Sequence, residues 1–166
     1  MSMVLHLCQW LASTDGSTAL RESIWVYPIV ESIHVLSLCL FAGFAVVMDL
    51  RLVGLVFTGD RASSVAGRML PWTFSGFAVM VVTGSLLFYS DPARFYGNVF
   101  FRVKVVFLLL AGLNALVFHR NVYTHVHDWD RDPTPPTAAR LAGAASLTLW
   151  TAVIVAGRLI AYNWFN

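Results

Sequence analysis

Residues 69–90 read MLPWTFSGFAVMVVTGSLLFYS, an uncharged run of 22 residues between Arg68 and Asp91. The hydrocarbon core of a bilayer takes about 20 apolar residues of helix, so this run is long enough to cross it. Its apolar residues are continuous rather than alternating, and it is far longer than the ~10 residues of a barrel strand. We read a membrane-spanning helix over Met69–Tyr89. Outward from it, the charges leave three more long gaps. There are 17 residues between Glu31 and Asp49, 15 between Lys104 and Arg120, and 17 between Arg140 and Arg158. They place further spans over Ser23–Met48, Val99–Arg120 and Arg140–Tyr162.

The whole composition agrees. The 166-residue chain is 58 % hydrophobic and 12 % charged, with a formal net charge of +2 and a mean hydropathy of +0.69. Soluble domains carry about 25 % charged residues, and a chain this short cannot hide so much apolar surface from water. A soluble enzyme and a disordered chain are excluded. So is a nucleic-acid module, because +2 is no basic footprint. The expected fold is an all-α, integral membrane four-helix bundle in a lipid bilayer, a single domain over residues 1–166.

Turn signals separate the spans. Asp15-Gly16-Ser17-Thr18 reads as a turn and helix start, and Ser90-Asp91-Pro92 as a break. The segment Asp132-Pro133-Thr134-Pro135-Pro136 leads into the fourth span, with Thr137 expected as its N-cap. The first residues lack the basic start of a signal peptide. Val4, Leu7, Cys8 and Leu11 share one helical face, so Met3–Ala12 is expected as a short helix on the membrane surface. One set of loop ends holds Arg51, Arg61, Arg68, Arg120, Arg131 and Arg140; the other holds Arg21, Arg94, Arg102, Lys104 and Arg158. Basic residues favour the cytoplasmic side, which puts both termini in the periplasm if the membrane is the bacterial inner one.

Of the two cysteines, Cys39 lies mid-span and reads as small packing material, and Cys8 as a free thiol. There is no C-x-x-C-H for covalent haem attachment and no cysteine set for an iron–sulfur cluster.

An ionisable residue inside a span is costly and marks function by default. Glu31, His34, Lys104 and Arg158 meet this description. His34 lies near the bilayer midplane. Glu31 is one turn outward on a similar face, since i and i+3 are neighbours. Lys104 opens the third span and Arg158 closes the fourth, so all four are expected in the same half of the bundle. A midplane imidazole backed by cations suits haem b, with His34 as an axial ligand. Lys104 and Arg158 would meet the propionates, and Glu31 would accept the second ring N–H. Met80, at a matching depth, is a candidate second ligand. Lys104, Ala111, Ala115 and His119 form one stripe. His119 is roughly 20 Å from His34 along the membrane normal, so it would serve a second haem or none. His125 and His127, with acids nearby, form a weaker copper or zinc candidate. Each of these residues also has a plain reading. The imidazoles then bond to neighbouring helices, the cations snorkel to the interface, and Met80 fills the core.

Glu31-Ser32-Ile33-His34-Val35, then Ala42-Gly43 and Arg51-Leu52, with Val103-Lys104-Val105-Val106, resemble the small membrane protoporphyrinogen oxidase and copper-resistance D type proteins. Glu22-Ser23, Tyr27-Pro28, Glu31, His34, Asp49-Leu50-Arg51 and Gly157-Arg158-Leu159-Ile160-Ala161-Tyr162 resemble, over most of the chain, a bacterial family of small four-span proteins of unknown function. Phe41 stands where the oxidase pattern has tryptophan. The resemblance therefore implies a haem-handling bundle rather than porphyrinogen oxidation.

The leading reading is a haem b electron-transfer or redox protein, with one or two haems and a quinone or a redox protein as partner. A quinone- or haem-linked oxidoreductase is its enzymatic form. A copper, metal-ion or proton transporter and a structural subunit are the alternatives. Small-residue series such as Ala138, Ala142 and Ser146 suit helix packing or a homo-oligomer.

Overall fold

The computed structural model describes residues 3–162. Eight helices follow one another: α1 Met3–Ala12, α2 Asp15–Glu22, α3 Val26–Val53, α4 Ala62–Ser90, α5 Pro92–Gly97, α6 Val99–Asn121, α7 Val126–Trp129 and α8 Thr137–Leu159. Among the described residues there is no strand. Helices α3, α4 and α8 are each long and apolar enough to cross a membrane, as is the stretch from α6 through α7. The chain is thus an all-α membrane bundle. The helices begin and end within three residues of the expected spans, save that α3 and α4 run several residues further at the end joined by residues 54–61.

The local signals are met at two places and shifted at a third. Asp15–Thr18 starts α2 as expected, with the turn just before it at residues 13–14. Thr14 caps it, accepting from the Ser17 N–H at 3.4 Å. The break at Ser90-Asp91-Pro92 is followed at once by a short helix, because Asp91 accepts the Arg94 N–H and Pro92 needs no donor partner in the first turn. Thr137 is the first helical residue of α8, and Pro136 holds the cap position without a side-chain bond. Helix α1 forms over Met3–Ala12 as expected. It packs on α5 and buries the free Cys8 thiol. Cys39 is exposed on the bundle surface rather than packed inside.

The spanning helices pack in the order α4, α3, α8, α6; the α4 and α6 backbones stay apart, but Phe88 of α4 stacks on Phe101 of α6 with ring centroids 5.4 Å apart. Apolar side chains gain little from leaving lipid for protein, so small residues and polar bonds must hold such helices together. Two glycines show this. A Cβ on Gly76 would lie 2.9 Å from the Phe41 nitrogen and 3.1 Å from the Ser37 oxygen, so the α3 and α4 backbones nearly touch. A Cβ on Gly143 would lie 2.8 Å from the Asp49 oxygen, which brings α8 equally close to α3. Phe41 then packs between its neighbours, 4.5 Å from Trp150 and 5.6 Å from Phe77 by ring centroids. Asn114 Nδ2 donates to the Ala142 oxygen at 3.0 Å, tying α6 to α8.

The main buried apolar cluster sits at the end where residues 54–61 and 122–136 join the helices. It comprises Leu52, Ala62, Phe118, Val126, Trp129 and Ala139. Here water returns and burial again stabilises. Arg51 is fully buried beneath these two segments. Its Nη2 donates to the Asp60 oxygen at 2.9 Å and the Asp132 oxygen at 3.4 Å, while Nε and Nη1 have no partner among the described residues. Gly54 closes α3 in the left-handed region (φ 88°), under Pro133 and Pro135. Asp130 starts α4. Its backbone oxygen accepts the Ala62 N–H at 2.9 Å, and its carboxylate accepts the Ser63 N–H at 2.7 Å and the Ser63 hydroxyl at 2.8 Å. Burial works against the Asp130 charge, but the two bonds from Ser63, with Arg61 and His127 nearby, hold its carboxyl below the ordinary value.

Two outcomes follow from these contacts. Gly76→Val should overpack the α3–α4 contact and lower thermal stability in detergent by about 1–3 kcal/mol. Asp130 has its carboxyl held low, so its contribution is present above the ordinary carboxylate pKa of ~3.9 and is lost as pH falls through the lower folded value. Asp130→Ala should cost about 1 kcal/mol at neutral pH, and the gap to the native chain should shrink in acid melts.

Candidate functional site

His34 lies eight residues after Val26 in α3, and Thr83 seven before Ser90 in α4. Antiparallel packing of the two helices puts them at one depth. The His34 Nδ1 and Thr83 Oγ1 are 2.9 Å apart. Gly84 makes room for the ring, because a Cβ there would come within 3.1 Å of His34 Cε1. The Met80 main-chain carbonyl also approaches the imidazole.

Lys104 comes from α6, five residues after Val99. It reaches across α8 over Gly157, where a Cβ would lie 3.4 Å from Nζ and 3.6 Å from Cε. A larger residue at 157 would block that route. The ammonium comes close enough to act electrostatically on His34. Among the described residues it has no hydrogen-bond acceptor and no carboxylate partner. All four spanning helices therefore meet at this level. Helices α3 and α6 supply the ionisable groups, and α4 and α8 supply the glycines that let them in.

Glu31 and Arg158 do not join them. Glu31 is exposed and lies near Tyr27, with Asp91 and Arg94 of the α5 region also close to that phenol. Arg158 is exposed and turns along its own helix. Its Nη2 donates to the Tyr162 hydroxyl at 3.3 Å, and its guanidinium lies 5.5 Å from that ring centroid. Snorkelling toward the interface is the physical reason, since a long cationic side chain one turn from a span end can reach water. Met80 is buried, but the contact seen with the imidazole is through its carbonyl.

His119 is exposed at the other end of the bundle. Its Nδ1 is 3.2 Å from the Ala115 oxygen of its own helix, and its ring is 5.2 Å from that of Tyr123. His125 and Thr124 bond to each other at 3.0 Å, and His127 faces Asp130 electrostatically. Among the described residues no group of three His, Cys, Asp or Glu side chains could hold a metal ion, so the His125 and His127 candidate gains no third donor.

Thr83, Gly84 and Asp49 are the residues whose roles the linear reading missed. The pair Thr83-Gly84 interrupts an apolar run at the depth of His34, and that coincidence was the available signal. Asp49 is buried in α3 with the Ser146 hydroxyl of α8 as its polar neighbour. Arg51 does reach the loops, through main-chain oxygens.

Residues 23–163 match the model of a family of unknown function, DUF6644. The chain belongs to that family. The match covers all four spans, the His34–Thr83 pair and Lys104. No curated protein matches the chain. No solved structure matches it either. The resemblance to the protoporphyrinogen oxidase and copper-resistance D type proteins therefore rests on the sequence motifs alone.

An ammonium without a counter-charge in a membrane span is costly. A lysine kept for function rather than packing should show this directly. Lys104→Met is expected to raise thermal stability in detergent by about 1–2 kcal/mol, read by melting of the purified variant. A loss of stability would make Lys104 a structural residue.

Proposed function

We propose that this DUF6644 protein binds one haem b in the membrane and serves as an electron-transfer or redox protein. His34 supplies an axial ligand through Nε2, and Lys104 meets an anionic substituent of the macrocycle. The observation that carries this reading is the imidazole held from its Nδ1 side by Thr83, near enough to the Lys104 ammonium to feel its charge. The residues present fit the group. A histidine nitrogen is the ordinary ligand of b-type haem iron, and metal-bound histidines commonly bond through the other ring nitrogen to the protein. Gly84 makes room for the His34 ring and Gly157 for the Lys104 chain, which brings the two groups to one level. When bound, haem supplies one-electron chemistry. The chain positions the ligand nitrogen, places a positive charge beside it, and keeps water away with the surrounding apolar helices.

Arg158 and Glu31 are assigned no part in holding the haem, because their side chains turn elsewhere. His119 lies outside the site, so a single haem is the simpler assignment. A quinone or another redox protein is the class of partner suited to such a centre. In a bacterial inner membrane, the arginine distribution favours periplasmic termini, and the His34 level would then lie in the periplasmic half.

The test is the visible spectrum of protein purified from haem-replete cells, before and after dithionite. A Soret band and a sharp reduced α-band are expected. His34→Ala should abolish both, whereas His119→Ala should leave them unchanged. A colourless wild-type preparation would overturn the proposal.

A further inference from the structure

The hydrogen bond at His34 has a direction that follows from its neighbours. The Thr83 hydroxyl lies 2.7 Å from the Val79 oxygen and 3.3 Å from the Met80 oxygen. Carbonyls only accept, so the single Thr83 proton is committed to its own helix. The Thr83 oxygen must then accept from His34. An acceptor at Nδ1 calls for an N–H there, and a neutral ring with its proton on Nδ1 carries its lone pair on Nε2.

We infer that Thr83 is the positioning residue that sets the tautomer and orientation of His34. A chain of two bonds runs from His34 Nδ1–H to the Thr83 oxygen and from the Thr83 hydroxyl to the Val79 carbonyl. Each bond polarises the next, and the electron density this leaves on the ring makes Nε2 a better donor to a ligand. Gly84 completes the arrangement. A methyl group there would crowd Cε1 and turn the ring off the Thr83 oxygen. The sequence contains the device in three adjacent residues, Val82-Thr83-Gly84, with the apolar Val82 facing outward.

This assignment rests on the proposed role of His34 as a ligand for its purpose, but its chemistry is independent of haem. The experiment uses the full chain in detergent, labelled with 15N at histidine and expressed without added haem precursor. Spectra are recorded at about pH 9, well above the ordinary imidazole pKa. In the native protein the His34 signals should show a single tautomer with the proton on Nδ1. Thr83→Val, close in shape but without the acceptor, should give a mixture of tautomers, and Thr83→Ser should restore the native pattern. A proton on Nε2 in the native protein would overturn the inference, and so would a Thr83→Val spectrum identical to the native one. Helix content by circular dichroism shows whether Thr83→Val folds, and the native and Thr83→Ser spectra decide the question if it does not. In haem-loaded protein, Thr83→Val should weaken haem retention ~10–100-fold, the usual cost of losing a partner behind a metal ligand, with Thr83→Ser near native. Should no haem bind at all, the proposed function fails while the tautomer result stands.

Discussion

The structure depends on how four apolar helices can be held together in a solvent as apolar as they are. Burying leucine against leucine gains little in lipid, so specificity comes from places where backbones touch or polar groups meet. Helix α3 is the axis of both. Gly76 lets α4 come up to its Phe41 nitrogen, and Gly143 lets α8 come up to its Asp49 oxygen. Hydrophobic burial resumes only at the end where residues 54–61 and 122–136 meet, around Leu52, Phe118 and Trp129. Buried Arg51 and the Asp130 grip on α4 lock that end.

The same constraint produces the site. With the α4 and α6 backbones apart, α3 and α8 are the helices beside which His34 and Lys104 are brought together. His34 leans on α4, and Lys104 crosses α8 over a glycine. In an apolar setting the Thr83 hydroxyl is the natural satisfaction for one imidazole nitrogen. Among the described residues no hydrogen-bond acceptor pairs with the Lys104 ammonium. Polar groups left in that condition inside a membrane are expensive, and function is the usual reason a protein keeps them.

Much of the architecture could be read from the positions of charges. The gaps between Arg68 and Asp91 and between Arg140 and Arg158 located α4 and α8, because a charge in hydrocarbon is excluded wherever the helix can avoid it. Helices α2 and α5 could not be read that way. They are short, polar or proline-led, and they depend on Thr14 and Asp91 capping them against the rest of the fold. At the site, depth was legible and direction was not. Glu31, His34, Lys104 and Arg158 do lie in one half of the bundle, yet Arg158 bonds to Tyr162 and Glu31 is exposed. Rotation about the helix axis decides which side chains converge, and spacing within one helix says little about the face its neighbour presents. Thr83 was overlooked for the same reason, since a threonine in a span ordinarily bonds only to its own helix.

The central claim is that His34 holds a haem. Quantifying haem b by the pyridine haemochrome method in purified wild-type and His34→Ala protein tests it most directly. The account predicts about one haem b per chain in the wild type, as expected for a single histidine-ligated centre, and background in the variant. Equal haem content in both, or none in the wild type, would contradict it.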